Sequence, residues 1–178
     1  MRKKQVPTFA VVGVVLTVLI GVTLLAQQDR YTLKIPDGLA FSDIKGYETW
    51  QDVAVSETEG SVKAILANSA MIAAYRDGVP DNGKPFPEGS QIVKIEWIKK
   101  KNPASPYFVE VPDTLKSVSF MEKDSTKFAN THGWAYAKFE YDPGSKTFTP
   151  AVTGTGCGDV CHKAMPSRDY VFTAYPPR

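Results

Sequence analysis

The sequence predicts an α+β domain, a mainly antiparallel β-sheet with a few short helices, preceded by an N-terminal transmembrane or signal helix. Three observations carry this. Short runs of alternating apolar and polar residues recur along the chain, separated by turn-forming residues. Thirteen Gly, thirteen Pro and 11% aromatic residues disfavour a coiled coil or a helical bundle. Val6–Ala26 is free of charge and follows Arg2, Lys3 and Lys4, the pattern of an export signal or a single span.

The basic cluster ahead of this stretch should stay in the cytoplasm, so the rest is expected to be exported. Cleavage after Ala26 would place Leu24 at −3, a poor fit to a cleavage site, whereas the apolar length suits a span. Both fates stay open: a periplasmic protein released by cleavage, or one anchored by its N-terminal helix. The organisation read from the chain is 1–26 as signal peptide or membrane anchor, 27–44 as a polar tether and 45–178 as one folded domain. The chain has 21 Lys+Arg and 19 Asp+Glu; past residue 26 this becomes 18 basic against 19 acidic. Such a balance excludes a basic nucleic-acid footprint. Membrane contact is expected only through the N-terminal segment.

Taken in order, 50–56 and 61–67 read as two strands of a hairpin around Glu57–Gly60. Asn68-Ser69 reads as a helix N-cap and Gly78 as a stop, which predicts a short helix over 69–77. Residues 79–90 hold three prolines and read as a loop. Gln91–Lys99 is the clearest strand, with Val93, Ile95 and Trp97 on one face and Ile92, Lys94, Glu96 and Ile98 on the other. Residues 107–111 and 114–122 read as two strands about a Pro112-Asp113 turn, and 123–125 opens a helix or turn. Residues 134–141 alternate again, Asp142-Pro143-Gly144 turns the chain, and 170–175 reads as a closing strand.

Cys157-Gly-Asp-Val-Cys161-His162 holds both cysteines and one of the two histidines. The usual haem-attachment signature has two residues between the cysteines, and here there are three. In that chemistry two thiols add to the vinyl groups of a haem and the next residue brings an imidazole under the iron. A local disulfide is the second reading, since an exported protein can oxidise two such cysteines. It would constrain little of the unfolded chain and gives His162 no role. Zinc is a third, although two Cys and one His leave a tetrahedral site one ligand short.

The chain resembles the cytochrome P-460 family, small exported c-type cytochromes related to cytochrome c′-beta. The resemblance runs from Tyr47–Trp50 through "EGSQIVKIEW" at 88–97 and "EKDSTKFANTHGWAYAKF" at 122–139. It ends in "CGDVCHKA" at 157–164 and "DYVFTAYP" at 169–176. It implies a mainly antiparallel β-fold for the haem domain, 45–178, and a homodimer. It implies haem c, with Cys157 and Cys161 carrying the thioethers and His162 the iron. Lys94 falls where hydroxylamine-oxidising members carry a lysine bonded to the porphyrin edge. A solvated lysine on a polar strand face is the bland alternative, but Ile92 and Ile98 make that face less polar than a solvent face should be. A c-type cytochrome would take the electrons.

Two departures from the family pattern stand out. The haem motif has one residue more than is usual between its cysteines, and Ser119 occupies the distal position where hydroxylamine-oxidising members place a carboxylate. Glu122 lies on the other face of that strand. His132 is a candidate proton relay, or a plain surface-loop histidine, and Glu96 a candidate partner for Lys94. Trp97, Phe120, Trp134 and Phe139 read as core. Hydroxylamine oxidation is the first expectation. The alternatives are nitric oxide capture without turnover, in the manner of cytochrome c′-beta, and simple electron transfer with Met121 or His132 as a sixth ligand.

Overall fold

A computed structural model describes residues 27–36, 38–152 and 156–178 of the chain. The expected N-terminal transmembrane or signal helix, 1–26, lies outside the described residues, among which no helix is long and apolar enough to cross a membrane. Among the described residues the architecture is a six-stranded antiparallel sheet in simple sequence order, with two short helices and several 3₁₀ turns. The strands are β1 (Gln51–Thr58), β2 (Ser61–Ala67), β3 (Gln91–Lys101), β4 (Glu110–Lys123), β5 (Trp134–Asp142) and β6 (Thr147–Pro150). Every neighbour pair is antiparallel, so each connection is a hairpin or a short excursion.

Helix α1 (Ser69–Arg76) forms where the caps predict it. The Asn68 side chain accepts the Met71 N–H at 3.1 Å. At the other end Gly78 takes φ +87°, and the Val79 N–H reaches back to the Ala74 carbonyl at 3.0 Å, a Schellman closure. The second helix, α2 (Gly156–His162), carries the Cys-His motif.

The sheet buries apolar residues on both faces. On one, Ile35, Leu39, Phe41 and Ile44 pack against Val93, Val118, Phe120 and Phe139. On the other, Met71, Ile72 and Tyr75 of α1 join Ile65, Ile92, Trp134, Tyr136 and Val171. Phe120, Trp134 and Phe139 are core, as expected, and Trp97 is half-buried.

The structure differs from the sequence reading in four places. First, 107–111 and 114–122 are not two strands about a turn. Residues 110–123 form one strand, and its register against β3 is interrupted near Trp97. Pro112 fits because β5 pairs with β4 only over 117–123, so the edge at Pro112 needs no N–H donor. Second, 170–175 is no strand: a turn at Tyr170 leads into a segment without ladder partners. Side chains hold that segment, through Tyr75 Oη donating to the Thr173 carbonyl at 3.0 Å and Gln51 Nε2 donating to Tyr175 Oη at 2.7 Å. Third, β6 pairs with β5 in a stretch the alternation did not mark. Fourth, the segment read as a polar tether, 27–44, packs into the core, where Ile35, Leu39, Phe41 and Ile44 have no exposed surface. Its apolar residues sit among charges, which made the composition look like a linker.

Candidate functional site

The alternation of β3 puts Ile92, Lys94 and Glu96 on the face opposite Val93, as the sequence predicts. Sheet register then aligns a row across that face: Ile65 pairs with Lys94, Lys94 with Ser119, and Ser119 with Lys138. One step along, Met121 pairs with Ile92 and Tyr136.

Above this row lies a cavity of about 850 Å³, a cofactor-sized space. Its floor includes Ile65, Ile92, Lys94, Ser119, Met121 and Tyr136, and its wall includes Cys161 and His162 of α2 and Phe172 of the C-terminal segment. The structure thus brings Lys94, Ser119, Cys161 and His162 together. His132 is not among the residues that line this space. It lies in a turn at φ +61°, its Nδ1 2.8 Å from Asp159 Oδ1 and its ring stacked on Tyr170. The side chain of Cys157 lies outside the described part of the structure; the Cys161 side chain is exposed.

Two contacts seat α2. Gly158, between the cysteines, lies so close to β5 that a Cβ there would overlap Cβ and Cγ of Tyr136. The backbone approach needs glycine. His162 packs between Tyr136 and Phe172, with ring centroids 4.8 and 4.7 Å away. His162 Nδ1 lies 2.7 Å from the Tyr170 carbonyl, which can only accept. The proton is therefore on Nδ1, and Nε2 carries the free lone pair. Burial lowers the His162 pKa; the Tyr170 bond opposes this, and the Lys94 charge adds to it. The neutral imidazole a metal needs is favoured.

Lys94 is partly buried, and its pKa is lowered, chiefly by desolvation. Glu96 raises it, while Lys63, Lys138 and Lys116 lower it further. Glu96 is engaged elsewhere: it accepts from Ser61 at 2.9 Å, from Lys116 at 3.2 Å and from Ser117 at 3.2 Å, and lies 3.8 Å from Lys63. It forms no hydrogen bond with Lys94. The one carboxylate among the described lining residues, Glu57, is held by Lys99.

A large cavity on one face of an antiparallel sheet, walled by a helix that ends in Cys-His, defines a cofactor-binding domain. The chain belongs to the Cytochrome P460 family, whose model matches residues 44–173. A search of curated proteins returns no match to it.

Membership implies a haem cofactor, and the residues present fit one. The cavity has cofactor size, and one imidazole nitrogen is free while the other is fixed. The glycine of the motif lets the helix lie flush on the sheet. Sequence reasoning missed three contributors to this arrangement. Gly158 is silent without its partner Tyr136, Lys138 becomes visible only through register, and Phe172 sat in a stretch read as a strand.

Proposed function

We propose that this is an exported c-type haem protein that oxidises hydroxylamine to nitrogen oxides and passes the electrons to a c-type cytochrome. Cys157 and Cys161 would carry the haem, and His162 would hold its iron through Nε2. Bound there, the haem would supply a redox centre able to take electrons from a small nitrogen compound. Lys94 would bond to the porphyrin edge, a C–N bond replacing one porphyrin C–H and one lysine N–H while two electrons and two protons pass to a two-electron oxidant such as a peroxide. An amine attacks carbon only as the neutral base, and burial at Lys94 favours that form. The observation that carries the reading is that Lys94 and His162 line one cavity. In this reading the protein works in the periplasm as a homodimer, released or anchored by its first 26 residues.

Each electron removed from hydroxylamine leaves with a proton, so the site needs a route for protons. Ser119 lies beside Lys94 in the sheet and offers a hydrogen bond but no base at neutral pH. His132 would act only outside the cavity, in a relay through Asp159.

The same poverty of bases supports a second reading, nitric oxide capture without turnover. The assay that separates the two is steady-state hydroxylamine oxidation with an added electron acceptor. Sustained turnover is expected, and Ser119→Glu should raise it. Tight nitric oxide binding with no turnover would replace the first reading by the second.

A further inference from the structure

The carbonyl that orients His162 comes from an unusual turn. Asp169 and Tyr170 take φ +47° and +64°, two consecutive left-handed residues that both carry a Cβ. Side chains of this kind rarely adopt that conformation unless their surroundings enforce it. Here the enforcement is visible. Lys123, the last residue of β4, places Nζ 2.9 Å from Asp169 Oδ1, with both side chains no more than 10% exposed. The other oxygen, Asp169 Oδ2, accepts the Phe86 N–H at 2.8 Å. Lys123 is itself seated over the Trp134 ring, 5.2 Å from its centroid. On the far side, the Tyr170 ring stacks on His132 at 4.4 Å, and His132 Nδ1 meets Asp159 within the Cys-His helix.

We infer that Lys123 and Asp169 are positioning residues for His162: their buried ion pair locks the left-handed turn that aims the Tyr170 carbonyl at His162 Nδ1. A hydrogen bond fixed in this way strengthens the imidazole as a donor through Nε2. It links the end of a cavity-lining strand to the residue proposed to hold iron. The inference rests on that assignment of His162.

The test uses the full haem-loaded protein. The readouts are the iron–histidine stretching band of the ferrous form in resonance Raman and the reduction potential. Lys123→Met keeps the length of the side chain and removes its charge. The band should move to lower wavenumber and the potential should rise. Lys123→Arg, which keeps the charge, should restore both towards the wild-type values. A Lys123→Met protein that has lost thermal stability but keeps band and potential would overturn the inference. If Lys123→Met yields no coloured protein, Asp169→Asn carries the test. It retains an acceptor for the Phe86 N–H and removes the ion pair with Lys123, and an unmoved band there would likewise overturn the inference. A wild-type protein without an iron–histidine band would overturn the ligand assignment itself, and this inference with it.

Discussion

Lys94 and Glu96 stand two residues apart on one strand face and have opposite surroundings. Lys94 loses water without gaining a hydrogen-bond partner, so its neutral form is favoured. Lys94→Arg should abolish the displacement of the haem absorption band that a cross-link produces, because a guanidinium is not a nucleophile at neutral pH. An unchanged spectrum would remove the cross-link. Glu96 pays desolvation as well, but bonds from Ser61 and Lys116 outweigh it and hold its pKa below the ordinary value. A carboxylate lowered in the folded state adds stability above its unfolded pKa, and this is lost as pH falls through the folded one. Stability should therefore decline below about pH 4, and Glu96→Gln should flatten that decline in urea titrations. At neutral pH the same change leaves Lys63 buried beside a neutral amide and should cost about 3 kcal/mol. The facing of Lys94 was legible because a strand alternates. The partners of Glu96 were not, since Ser61, Lys63 and Ser117 reach it from neighbouring strands.

At the scale of elements, the union of α2 with β5 decides whether the Cys-His motif faces the cavity. Gly158→Ala should overpack Tyr136, destabilise the fold by about 1–3 kcal/mol, and lower the fraction of protein that acquires haem. Calorimetry together with the ratio of haem absorbance to protein checks both. Equal stability and equal loading would show that the helix can lie elsewhere. Local signals made α1 readable, because Asn68 and Gly78 act within their own turn. They misled at Pro112, where proline marks the free edge of a long strand and not a turn. They misled again after Tyr170, where long-range side-chain bonds replace a ladder.

For the whole molecule, the sheet is covered on one face by the segment 27–44 and on the other by α1, α2 and the C-terminal stretch. Phe41 touches Tyr31, Tyr47, Phe139 and Phe148. Phe41→Ala should cost about 3–5 kcal/mol, measured by denaturant unfolding, and trimming the chain to residue 45 should cost at least as much. A fully stable trimmed domain would restore the tether reading. The sheet followed from alternation, and the placing of Lys94 and Ser119 at one site followed from the family resemblance, with the structure supplying the register that pairs them. The second covering layer did not, because its apolar residues are dispersed among polar ones in irregular chain. The most direct measurement is the intact mass of protein exported by a host that attaches haem to c-type cytochromes, followed by a peptide map. The expected result is a mass increased by one haem, with the 157–162 peptide and the Lys94 peptide joined through it. An unmodified, colourless chain whose two cysteines are bonded to each other would contradict it.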